Sequence, residues 1–253
     1  MSDFEAIILE RERHIATIRL NRVEKHNAIS SQMSQELIEC LDALEADDDV
    51  RVIILTGAGE KSFCAGADMA ESVAMMSGSD GRRDHAALAN MRVMRVRKPL
   101  IAAVNGYAYG GGALMAICCD MRICSENARF RFVGASYGLV VGGSQLPRIV
   151  GAPMAKELIF TARTIGADEA LRIGLANHVV PVGRLEEFVM HIAGEIAEHS
   201  PSAVLASKEV IDTATSTKDA AKAELKHNIE LRQSEEHIER FRAATDRVTR
   251  GSD

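Results

Sequence analysis

The chain is 253 residues long, 47% hydrophobic and 26% charged, with a net charge of −6 at pH 7. Those proportions belong to a folded protein with a sizeable core, exclude a disordered or fibrous chain, and give no global signature of nucleic-acid binding. No apolar run reaches the roughly 18 residues of a membrane span, and the acidic start Met1-Ser2-Asp3-Phe4-Glu5 does not read as a targeting segment. A cytoplasmic protein without membrane or nucleic-acid partners is therefore expected.

In chain order, Ala6–Leu9 and Ile15–Leu20 read as a hairpin around a charged turn at Glu10–Arg13. After Asn27 a helix is predicted, capped by Ser30 or Ser31, with Met33, Leu37, Cys40, Leu41 and Leu44 on one face and a stop at Asp47-Asp48-Asp49. Val52–Leu55 and Leu100–Val104 are apolar on both faces, the pattern of parallel strands covered by helices. Each leads through a glycine-containing loop into a helix, from Ala67 in the first case and from Gly111 in the second. Asp80–Arg97 reads as a helix stopped by Pro99. From Pro153 onward the chain is mainly helical, over Met154–Ala162, Ala167–Ile173, Leu185–His199 and Pro201–Ala214. A charged segment follows, with Leu225, Ile229, Ile238 and Phe241 as its sparse apolar positions, so it must pack on the core or on a neighbouring subunit.

The five cysteines (Cys40, Cys64, Cys118, Cys119 and Cys124) are an odd number without C-x-x-C spacing, which favours reduced thiols over disulfides or a metal site. No H-E-x-x-H pair occurs, and no metal is expected. Three loops resemble nucleotide motifs and fail them. Thr56–Ser62 ends in Lys-Ser, but Glu60 stands where a phosphate-binding loop needs glycine and would repel the phosphate. Gly106–Gly112 does not fit G-x-G-x-x-G. Gly138–Gly143 follows no strand-to-helix pattern and reads as a mobile loop.

Two segments remain: Phe63-Cys64-Ala65-Gly66-Ala67-Asp68-Met69 and Asn105-Gly106-Tyr107-Ala108-Tyr109-Gly110-Gly111-Gly112. They resemble the A-G-A-D and N-G-x-a-x-G-G-G segments of the crotonase (enoyl-CoA hydratase/isomerase) family. Leu20-Asn21-Arg22, Asn27-Ala28, Cys119-Asp120 and Ala170–Val180 match further family segments in order, so the resemblance spans roughly residues 5 to 212. It implies an α/β fold, a spiral of repeated ββα units, with a core over residues 1–195 and a helical C-terminal subdomain over 196–253 that takes part in oligomer packing. A homotrimer or dimer of trimers is implied.

The resemblance further implies that the backbone amides of Ala67 and Gly111 form an oxyanion hole for an acyl-CoA thioester. Two preorganised N–H groups suit a carbonyl that gains negative charge as an enolate forms. Glu24, Lys25 and His26 would border the adenosine end, and Ala65, Asp68 and Met69 the pantetheine, with Arg22 and Lys25 offsetting phosphate charge. Coenzyme A enters as part of the substrate, and no separate cofactor is expected.

The hydratase pattern itself is broken. Its first glutamate falls on Leu114 and its second on Gly134, both substrate-lining positions, and neither residue can transfer a proton. Tyr137, three residues beyond Gly134, is the candidate replacement; Tyr109, Ser136, Glu71 and His85 are weaker ones, and Asp68 reads better as a helix cap. Ordinary hydration is therefore not expected. Decarboxylation or other enolate chemistry, or acyl-CoA binding without catalysis, fits the remaining residues.

Overall fold

In the structure, a computed structural model, residues 4–77, 84–215 and 218–250 are described. The opening hairpin pairs β1 (Ile7–Glu12) with β2 (Ile15–Leu20), antiparallel, in the register Ile7↔Leu20. Its turn is tighter than expected. The first strand runs on to Glu12, and Arg13 takes a left-handed φ of 50° before the second begins at Ile15 as expected. Helix α1 (Ser31–Ala46) is capped by Ser30, whose hydroxyl accepts from the Met33 N–H at 3.1 Å. Its apolar face is the expected one, with Met33, Leu37, Cys40, Leu41 and Leu44 all buried.

Three strand pairs follow: β3 (Val52–Gly57) with β4 (Ser62–Cys64), β5 (Leu100–Val104) with β6 (Tyr107–Tyr109), and β7 (Met121–Ser125) with β8 (Arg129–Arg131). In each pair the first strand joins a six-stranded sheet and the second a four-stranded one. β9 (Thr164–Gly166) completes the small sheet, and β10 (His178–Val180) the large sheet, whose order is β1-β2-β3-β5-β7-β10. From β2 to β10 the large sheet is parallel. Helices α2 (Met69–Ser77) and α3 (His85–Met94) lie between β4 and β5, and α4 (Gly111–Cys118) follows β6. The repeated ββα unit is thus present. The start of the helix expected over Asp80–Arg97 lies outside the described residues.

Both faces of the large sheet are covered, as the two-sided apolar strands require. Ile53, Leu55, Ala102 and Val104 pack into the main core with α1 and α4. Val52, Ile54, Ile101 and Ala103 face a second cluster. It is closed by Leu185, Val189 and Ala193, which lie on the helix Leu185–Glu198. The rest of the chain is helical, and it ends in three helices that we denote by range: Pro201–Thr215, Lys218–Arg232 and Glu235–Arg250.

The two C-terminal helices fasten onto the core by polar contacts rather than by a large apolar face. Glu224 accepts from the N–H groups of Gly142 (2.9 Å) and Ser144 (2.7 Å), and the Asn228 amide bonds both the N–H and the C=O of Val140. Arg232 pairs with Asp84, and Phe241 is buried. The glycine-rich stretch Gly138–Gly143, read from sequence as a mobile loop, is therefore tied at Val140 and Gly142, and just beyond it at Ser144, to the helix Lys218–Arg232. No helix among the described residues is long and apolar enough to cross a membrane.

Candidate active site

The two glycine-bearing loops meet. Residues Gly66 and Asp68 bridge to Ile29: the Ile29 N–H donates to the Gly66 carbonyl at 2.7 Å, and the Asp68 N–H to the Ile29 carbonyl at 3.0 Å. In extended backbone, alternate residues direct their N–H groups to opposite edges, so Ala67 turns its own N–H away from Ile29. It turns toward the start of α4. A Cβ built on Gly66 would lie 3.0 Å from the Gly111 nitrogen, and one built on Gly111 would lie 3.6 Å from the Ala67 nitrogen. Gly66 also has φ +96°, so both backbone conformation and close approach demand glycine there. Among the described residues, neither the Ala67 N–H nor the Gly111 N–H donates to any acceptor. Two unspent donors thus converge beside the positive end of α4.

The approach is enforced from below. A Cβ on Gly112 would meet the Cys64 carbonyl oxygen at 2.0 Å, so α4 rests directly on the β4 backbone. Along α4, Gly111, Leu114 and Cys118 are partly exposed while the residues between them are buried. That i, i+3, i+7 spacing is one helix face. The face carries an alkyl side chain and a thiol, both partly buried against the core. Burial pushes the Cys118 thiol up to about 12, and the thiol of Cys64, whose backbone lies under Gly112, up to about 12, so neither is a thiolate at neutral pH.

Gly134 opens a short 3-10 turn, Gly134–Tyr137, and is buried. A Cβ there would stand 2.9 Å from the backbone nitrogen, Cβ and Cγ2 of Val141. The tied-down loop therefore occupies the space that a side chain at position 134 would need. The absence of a side chain at position 134 and the position of this loop go together.

The Tyr137 ring packs edge-on against Phe241 with centroids 5.8 Å apart, and its carbonyl oxygen accepts from His237 Nδ1 at 2.6 Å. It is a docking point for the C-terminal helix. Asp68 caps α2, accepting from the Ala70 and Glu71 N–H groups at 3.0 and 3.2 Å, as the sequence suggested. It also pairs with Arg22 at 2.9 Å. Burial opposes its ionisation, but Arg22 and the two amides outweigh that and hold its carboxyl below the usual range. The second guanidinium arm of Arg22 bonds the Ala28 carbonyl at 2.8 Å, so Arg22 is committed to the protein rather than left for phosphate.

Glu71 accepts from the Ser31 N–H at 2.7 Å, and the His85 carbonyl from the Ser34 hydroxyl at 2.8 Å; both are structural contacts. The Tyr109 ring lies 5.3 Å from that of Tyr107. Glu24, Lys25 and His26 form an exposed turn whose last carbonyl accepts from the Ala65 N–H at 3.0 Å, which places this turn next to the Ala65–Met69 segment. Among the described residues no group of three or more His, Cys, Asp or Glu is placed to hold a metal ion.

Sequence reasoning missed Asn90. It lies on α3, 4% exposed, and its amide nitrogen donates to the Gly111 carbonyl at 3.1 Å. No motif marks it. The only available signal was an asparagine on the inward face of a helix.

Comparison with known proteins identifies the family and the fold. Residues 10–247 match the family model described as enoyl-CoA hydratase/isomerase. The chain is 45% identical over 212 residues to a short-chain-enoyl-CoA hydratase of Clostridium acetobutylicum, covering 81% of this chain and 80% of the relative. It is 42% identical over 214 residues to a crotonyl-CoA hydratase of Syntrophomonas wolfei, with 81% and 80% covered. Among solved structures, an enoyl-CoA hydratase from Bacillus anthracis superposes with a TM-score of 0.79 at 34% identity, covering 96% of this chain and 97% of the other.

Proposed function

Because the chain belongs to the enoyl-CoA hydratase/isomerase family, we propose that it binds an acyl-CoA thioester with its carbonyl oxygen between the Ala67 and Gly111 amides. The observation that carries this reading is the convergence of two backbone donors that have no acceptor among the described residues. Such donors are worth most where negative charge develops on oxygen, so the reaction served is formation of a thioester enolate. Glu24, Lys25 and His26 border the adenosine end of the ligand, and Ala65, Asp68 and Met69 its pantetheine arm. The Val210, Ile211, Leu225 and Ile229 side chains, more than half exposed on the C-terminal helices, support a homotrimer or dimer of trimers.

The relatives are named hydratases, and this chain departs from the chemistry those names describe. Leu114 and Gly134 stand at the acid positions, and Val141 fills the space beside Gly134. Adding water across a double bond needs a group to deliver the oxygen and a group to move the proton. Decarboxylation of a malonyl-type thioester needs neither. The electrons of the breaking carbon–carbon bond pass to the thioester oxygen as CO2 leaves, and the α-carbon then takes a proton from solvent. The hole supplies what that step requires.

Incubation with crotonyl-CoA and with a malonyl-type thioester tests the reading. Loss of the latter with release of CO2, and hydration at least about 10²-fold below ordinary enzyme turnover of ~10 s⁻¹, is the expected result. Hydration of crotonyl-CoA at ordinary enzymatic rates would overturn the missing-acid argument. Tight acyl-CoA binding without turnover of either substrate would identify a carrier or sensor instead.

A further inference from the structure

Three consecutive glycines carry the second amide of the hole, and none has a side chain to fix its own backbone. What holds them lies outside the triplet. The Gly110 N–H donates to the Arg131 carbonyl at 2.9 Å, and the Gly110 carbonyl accepts from the Leu114 N–H at 3.0 Å. The next carbonyl, that of Gly111, accepts from the Asn90 side chain at 3.1 Å. The peptide bearing the Gly111 N–H is thus bracketed by anchored groups, and on its far side Asn90 adds a side-chain anchor to the i→i+4 bond that the helix gives the Gly111 carbonyl.

Asn90 is an awkward residue for this place on stability grounds. The Gly111 carbonyl can only accept, which fixes the amide nitrogen toward it and the amide oxygen away. That oxygen is buried and, among the described residues, has no donor. A leucine fills the same α3–α4 contact without stranding an acceptor, and buried acceptors are seldom left unpaired without a reason. One bond to the backbone of the hole and one unpaired oxygen point the same way. We propose that Asn90 is a positioning residue: it does not touch the ligand, but holds Gly111 so that its N–H meets the thioester oxygen, at the expense of stability. The proposal rests on the acyl-thioester reading above.

Binding measurements test it without knowledge of the reaction. Butyryl-CoA labelled with 13C at the carbonyl is bound to the protein, and its C=O stretch is read by difference infrared spectroscopy. Affinity for a thioether analogue lacking that carbonyl is measured by calorimetry, and the unfolding midpoint by thermal denaturation. In the wild type the stretch shifts to lower frequency than in free ligand. In Asn90→Leu about half of that shift is lost, as when one of two donors moves out of line, while thioether affinity stays within about 2-fold. The unfolding midpoint is unchanged or raised. If Asn90→Leu does not fold, Asn90→Ala, which adds no branching, takes its place in the infrared and calorimetric arms.

A full carbonyl shift in the variant overturns the proposal. So does a shift lost together with thioether affinity and a lowered midpoint, the pattern of a merely structural residue. A wild type that binds butyryl-CoA without shifting its carbonyl, or does not bind it, refutes the acyl-thioester reading itself.

Discussion

Substituting Gly112 by alanine tests the proposed hole from the residue next to Gly111. The added Cβ would lie 2.0 Å from the Cys64 carbonyl oxygen and 2.7 Å from its carbon, whereas ordinary contact begins near 3.4 Å. Both obstacles are backbone within β4, so no side chain can swing aside. The first turn of α4 must lift by roughly 1.4 Å, the difference between those distances. Gly111 is the preceding residue and moves with it. An oxyanion donor works within about 2.7–3.1 Å of the oxygen, a window narrower than the displacement, so the Gly111 contribution is lost. The expected fall in kcat is about 10²–10³-fold. The same overpacking destabilises the fold by about 1–3 kcal/mol. Turnover on the substrate found in the thioester panel and urea denaturation measure the two effects. Wild-type turnover with an unchanged unfolding midpoint would refute the packing argument and the place of Gly111 in the hole.

Three further outcomes follow from the same contacts. Restoring one acid by Gly134→Glu is expected to leave crotonyl-CoA hydration absent and to lower the unfolding midpoint, because its Cβ meets Val141 backbone and side chain at 2.9 Å; a stable, active hydratase would contradict this. Glu224→Ala frees the N–H groups of Gly142 and Ser144 and should cost on the order of 1–3 kcal/mol, with faster proteolytic cleavage between residues 138 and 145; an unchanged urea midpoint and cleavage rate would show that the clamp is dispensable. Burial raises the thiols of Cys64, Cys118 and Cys124 to about 12. Folded thiols that keep protons which the unfolded chain releases give stability that is intact below the unfolded thiol range and lost as pH rises toward 12. Melting temperature should therefore fall from pH 8.5 upward, more steeply than in the Cys64→Ala variant; equal slopes would contradict the assignment.

Much of the architecture was legible because it rests on periodicity and on local chemistry. The α1 face, its Ser30 cap, the two-sided apolar strands and the two strand–loop–helix units all emerge from residues close together in sequence. The proposed hole is suggested only by ordered motifs, since small residues alone also describe tight turns without a ligand. The rest depends on contacts that sequence spacing does not encode. That Val141 crowds the space a side chain at Gly134 would need is not encoded in the spacing of the motif. The stretch Gly138–Gly143 reads as a mobile loop until Glu224 and Asn228 arrive from a distant helix. Tyr137 looked available for proton transfer because its sequence position lies beside an acid site, yet its ring packs on Phe241. The resemblance offered Arg22 to a phosphate, and sequence spacing does not reveal that its guanidinium pairs with Asp68.

The central claim is that the Ala67 and Gly111 amides grip a thioester oxygen. A crystal structure of the complex with a non-hydrolysable acyl-CoA analogue that retains the carbonyl tests it most directly. The account predicts that oxygen within about 2.7–3.1 Å of both nitrogens, with no carboxylate, imidazole or phenol beside the α- and β-carbons. A carbonyl bound elsewhere, or held by only one of the two amides, would contradict it.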